Sequence, residues 1–144
     1  MKRGCVAISR VAVSAAVCAG LMGTHVGTVR AASPEQDYIL NCMGCHQADG
    51  AGVPGHVPAL VGVDRFLATA EGRSYIIRVP GVADVGLCDA RLAALLNWTF
   101  SRFGKSAFRP YTQEEVTRSR RLPLANAVVT RGRIVSALEE SASR

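Results

Sequence analysis

Two cysteines three positions apart, Cys42 and Cys45, with His46 directly after the second, put two thiols and an imidazole within one helical turn of each other. The run Cys42-Met43-Gly44-Cys45-His46 has the form of the c-type haem attachment motif. Each thiol adds to one of two vinyl groups along a haem edge, and the adjacent histidine then lies under the iron as an axial ligand. Two other uses compete. A thioredoxin-like pair would follow a strand in a βαβ setting, and no β-branched run precedes Cys42. A zinc site would need further ligands, for which only His56 and Cys88 stand at irregular spacing. The cofactor expected is therefore one covalently bound haem c per chain.

The flanking elements must deliver this motif. Ser33-Pro34-Glu35-Gln36 reads as a helix start, with Ser33 as N-cap, Pro34 at the first helical position and Gln36 closing a capping box, so a short helix should run toward Cys42. The stretch from Gln47 to Leu60 is dense in Gly and Pro and cannot be regular structure, but it can fold closely against a flat ligand. Thr69 to Arg78 reads as a short helix. Leu87-Cys88-Asp89 opens a longer one, with Leu92, Leu95, Leu96, Thr99 and Phe103 as its core stripe and Gly104 as its stop.

With Gly50-x-Gly52, Pro58-x-Leu60 and Gly62 following the motif, residues 33–103 resemble the class I cytochrome c family. The resemblance implies a small all-α fold whose first and last helices cross beside the haem. It also implies thioether bonds at Cys42 and Cys45, His46 as the proximal iron ligand, and Pro58 as the residue whose carbonyl accepts a hydrogen bond from the far nitrogen of that histidine. The sequence departs from the family on the distal side. In the stretch Arg78-Val79-Pro80-Gly81, Val79 stands where the family carries its ligating methionine, and Met43, the only methionine after residue 31, is trapped inside the attachment motif. The distal ligand stays open. His56 and Cys88 are weak candidates: the first is close to Pro58 on the side His46 already occupies, and the second sits at a helix cap. Lys105 reads as a solvated charge, Tyr75 and Tyr111 as packing residues, and Arg78 as a haem-propionate or solvent contact. An open or weakly occupied sixth position, with a lower potential than a His/Met pair gives, is the expectation.

The chain has 144 residues, 49% hydrophobic, 19% charged and 6% aromatic, enough for one small domain with an appendage and too few for a large multidomain enzyme. Its formal charge of +6 invites a nucleic-acid reading until the charges are located. Residues 1–31 carry Lys2, Arg3 and Arg10, then the small apolar run Val11–Gly23, then Val29-Arg30-Ala31. That is the form of a secretory signal peptide, with an uncleaved anchor as the alternative. Beyond it the charge is divided: residues 32–100 hold four basic and seven acidic groups, and 101–144 hold nine basic and four acidic.

The domains expected are a signal peptide over 1–31, a cytochrome c-like haem domain over 32–104 and a helical C-terminal extension over 105–144. In the extension, Thr112-Gln113-Glu114-Glu115 opens a helix to about Arg121, Pro123 ends it, and a second helix covers about Asn126 to Glu140. Its arginines, 118, 120, 121, 131 and 133, read as solvated charges on an appendage or as a basic surface for an acidic redox partner. Export and the lack of interleaved aromatics argue against nucleic acid. The function expected is periplasmic electron transfer, not enzymatic turnover, between partners the family implies: periplasmic dehydrogenases, other cytochromes or an oxidase. Membrane association is expected only if the signal is retained. The alternative is a haem protein whose open distal site binds a small ligand or reduces peroxide, although peroxide chemistry would want a positioned distal acid–base group that the sequence does not display.

Overall fold

The computed structural model describes residues 32–144 and is built from helices; the expected signal peptide over 1–31 lies outside them. The elements are α1 (Pro34–Asn41), α2 (Met43–His46), a 3-10 turn (Val63–Ala68), α3 (Ala70–Arg78), α4 (Pro80–Ala83), α5 (Asp89–Phe103), α6 (Gln113–Arg120) and α7 (Ala127–Ala142). The capping box of α1 forms in both directions: Ser33 Oγ accepts from the Gln36 amide at 3.2 Å and Gln36 Oε1 from the Ser33 amide at 2.8 Å. In α5 the whole expected stripe is buried, joined by Phe100 at 3% exposure. Gly104 does end α5, but in extended backbone at φ −72°, not in a left-handed cap. Glycine is needed there for closeness, because a Cβ would stand 2.4 Å from the Phe100 carbonyl oxygen.

Tyr38 carries α1 onto α5, its ring 5.3 Å from the rings of both Trp98 and Phe103. Asp37, 2% exposed, is held there by Arg91 of α5. The Tyr38 hydroxyl donates to the Gln47 carbonyl at 2.6 Å, so the same residue that joins the two helices also pins the loop behind His46. The crossing implied by the family resemblance is present, and its hinge is one aromatic side chain with a polar tip.

Residues 105–144 wrap this core and share its hydrogen bonds. Asn97 of α5 and Tyr111 exchange two bonds, at 2.7 and 3.0 Å. Arg73 of α3 takes both carboxylate oxygens of Glu115 at 2.8 Å. Arg120, read from sequence as a solvated charge, is 10% exposed at its side chain. It donates to the carbonyls of Ala83, Val85 and Leu87 and to Asp89, holding the segment between α4 and α5 by every second carbonyl. Helix α7 lies on the 3-10 turn and α3 through Ile134, which packs with Phe66 and Tyr75.

Two of these carboxylates make the fold acid-sensitive. Arg73, hydrogen-bonded to Glu115, holds that carboxyl below its ordinary value of 4.5. Burial works to raise Asp89, but hydrogen bonds from Thr117 and Arg120 outweigh it, so it too lies below its ordinary value of 3.8. A depressed folded pKa contributes stability above the unfolded value and loses it as pH falls toward the folded one. The melting temperature should therefore hold level down to about pH 4.5 and fall below it. In Glu115→Gln the fall should be shallower, as thermal melts across pH 3–7 would show.

Candidate cofactor site

Helix α1 ends on Cys42, whose amide still bonds the Tyr38 carbonyl at 2.8 Å, and the chain turns at once into α2. The amides of Cys45 and His46 both bond the Cys42 carbonyl, at 3.2 and 2.9 Å, so a single turn brings both sulfurs and the imidazole together. Both thiols are free, Cys45 exposed and Cys42 half-buried. Burial pushes the Cys42 thiol up to about 11, so it is protonated at neutral pH.

His46 Nδ1 lies 3.1 Å from the Pro58 carbonyl oxygen. Burial lowers the His46 pKa and the bond to Pro58 opposes it only in part, so the ring is neutral at pH 7. Nδ1–H then donates to Pro58 and the lone pair sits on Nε2, the nitrogen facing away from it. The loop reaches back this far because it is folded on itself: Leu60 bonds the Gly50 carbonyl at 2.8 Å and Gln47 Nε2 the Gly52 carbonyl at 2.8 Å. Gly52 has φ +68°, and a Cβ on it would come within 2.3 Å of the Val57 carbonyl oxygen. The one regular feature in the loop is a bridge between Val53 and Val57.

Cys42, Cys45, His46 and Pro58 line a cavity of about 1160 Å³. Leu92, Leu96 and Phe100 of α5 and Val79, Val82 and Val85 from the segment after α3 supply apolar walls. Its size is at the upper end of small-molecule sites, which run to roughly 1,000 Å³. Two thiols and an imidazole with a free Nε2, facing a large apolar chamber, fit a haem.

The remaining sequence candidates fall into two groups. Val79 lines the cavity, as does His56, which is exposed and stands on the Pro58 loop, the wall His46 occupies. Tyr75 and Lys105 also line it. Cys88 does not: it occupies the N-cap of α5 without a side-chain cap bond, away from the lining. Met43 packs on the core instead. Arg78 is off the lining too, its Nη2 donating to the Pro123 carbonyl, and Tyr111 is buried under Arg73. Sequence reasoning missed Ala127, Val128 and Arg131 of α7, which also line the cavity. No local pattern announces them, since they are close to the site only because Ile134 seats α7 on α3.

No family model matches the chain. A search of characterised proteins finds Cytochrome c-552 of Thermus thermophilus, 35% identical over 102 residues, an overlap that takes in 55% of this chain and 78% of that protein. A second Cytochrome c-552, from a named strain of the same organism, matches at 35% over 102 residues and 69% of its length.

Proposed function

The chain belongs to the class I c-type cytochrome family, and from that premise we propose that it carries one haem, bonded through Cys42 and Cys45 and ligated by His46, and passes single electrons between periplasmic redox partners. Family membership makes it a haem electron-transfer protein. The observation that supports the site most directly is the placement of Cys42, Cys45 and His46 on one turn at the wall of the cavity, with His46 Nδ1 bound to Pro58. The haem supplies an iron that alternates between ferric and ferrous states, with no substrate bond made or broken.

The protein's own groups set the conditions for that exchange. The Pro58 carbonyl fixes the His46 tautomer and raises the basicity of Nε2. The aliphatic and aromatic walls exclude water and lower the local dielectric around the redox centre. Val79 offers no ligand atom, so the potential falls below that of a His/Met pair. Residues 32–104 supply the haem chamber, while 105–144 brace it and close one side. Residues 1–31 serve as an export signal; no helix among the described residues is long and apolar enough to cross a membrane. Its partners are dehydrogenases, other cytochromes or an oxidase of the periplasm.

Val79, which lines the cavity and offers no ligand atom, also favours a second reading, in which a haem held by Cys42, Cys45 and His46 would take up a small ligand. One experiment addresses both readings: optical spectra of the exported, purified protein, oxidised, reduced, and reduced with carbon monoxide. The expected result is haem that stays with the polypeptide on a denaturing gel, no methionine–iron charge-transfer absorption, and a rapid carbon monoxide shift. Covalent haem without the shift would mean a sixth protein ligand and a closed electron carrier. Haem that separates from the chain would overturn the attachment itself.

A further inference from the structure

Helix α7 brings to the cavity an arginine that nothing among the described residues neutralises. Arg73, Arg91, Arg109, Arg120 and Arg133 each meet a carboxylate. Arg131 has no ion pair or hydrogen bond among the described residues, although it is half-buried and lines the chamber. Its guanidinium carbon stands 5.7 Å from the centroid of the Phe66 ring. Arg65, also without a carboxylate partner among those residues, stands 5.7 Å from the same centroid and lines the same cavity. A cation held against an aromatic ring and partly out of water gains more from an anion than a solvated one does.

The wall beside Arg131 adds a donor. Tyr75, 7% exposed, stacks on Phe66 at 5.8 Å, and its hydroxyl has no hydrogen-bond partner among the described residues. Burial pushes the phenol up and Arg131 pulls it partly back, which leaves Tyr75 a neutral donor at pH 7. Tyr75 lies one helical turn before Val79, the position where the family carries its distal ligand, so the two share a face.

Resting on the haem reading above, we propose that Arg131, with Arg65 and Tyr75 around the Phe66 ring, forms an anion site in the cavity that accepts a carboxylate-sized negative group. The group has two sources: a propionate carboxylate of the haem, or a small free anion beside the open axial position. Either way, the C-terminal extension would supply a working part of the haem chamber.

The test uses the holoprotein as wild type, Arg131→Met, Arg65→Met and Arg131→Lys, with azide as the anionic probe on the ferric form, carbon monoxide as the neutral probe on the ferrous form, and the midpoint potential measured for each. A free-anion site predicts azide binding about tenfold weaker in Arg131→Met, with carbon monoxide affinity within about twofold and Arg131→Lys near wild type. A propionate contact predicts a downward shift of the potential in Arg131→Met with azide affinity unchanged. The proposal is overturned if both methionine variants, folded by thermal melt, leave azide affinity and potential where they were. It is also overturned if azide and carbon monoxide weaken equally, since that marks Arg131 as packing alone. Failure of the haem reading looks different: no variant, wild type included, would carry covalent haem.

Discussion

Changing Cys42 and Cys45 together to serine is expected to remove covalent haem entirely, from a full complement in the wild type to none on a haem-stained denaturing gel. A serine hydroxyl does not form the thioether, and among the described residues no other free cysteine lines the cavity to replace it. The consequence for the fold should be as large. The chamber of about 1160 Å³ is walled by Leu92, Leu96, Phe100 and the valines of the 79–85 segment, and without its contents those side chains face water or a void. A bound group stabilises the folded state by mass action, and covalent attachment makes that contribution independent of free cofactor. The double variant should therefore melt earlier and less cooperatively. Each single variant keeps one attachment point and should retain stain. Undiminished stain in the double variant would refute the assignment of the two thiols.

The parts of this molecule that follow local rules were legible in the chain. The Ser33 capping box, the apolar stripe of α5, the turn from Cys42 to His46 and the cap at Thr112 each depend on residues three or four positions apart, which is the range over which helical periodicity carries information. The return of Pro58 to His46 was legible only through the family resemblance. What stayed hidden depends on contacts across the chain. Arg78 was read as a haem-propionate or solvent contact, yet it lies off the cavity lining and its Nη2 donates to the Pro123 carbonyl, 45 residues on. Arg131, far from the motif in sequence, reaches the chamber instead. Gly104 was legible as a stop, but the crowding by Phe100 that requires glycine there appears only in three dimensions. The arginine row of the extension looked solvated because charge runs on helices usually are, and Arg120 departs from that pattern because the 83–89 segment presents its carbonyls to it.

Arg73→Met should be the most destabilising single change outside the haem site. The guanidinium is 7% exposed at its side chain. It holds both oxygens of Glu115 at 2.8 Å, donates to the Arg109 carbonyl at 2.7 Å, and its Cζ stands 4.2 Å from the centroid of the Tyr111 ring. Removing it leaves a carboxylate only 14% exposed with the solvent-facing Arg109 as its remaining ion-pair partner, and breaking one half of such a buried pair costs about 3–5 kcal/mol. For a domain of this size that is roughly 10–20 °C in melting temperature. Arg73→Met with Glu115→Leu removes both buried charges and leaves Arg109 facing solvent, so it should recover much of the loss, and the double-mutant cycle isolates the coupling. Arg73 does not line the cavity, so the optical spectrum of the variant should be unchanged at a temperature where it is folded. A loss below about 1 kcal/mol would be the size of a solvated surface pair. It would mean that residues 105–120 are merely laid against the haem chamber; the expected loss makes them one of the walls that hold it up.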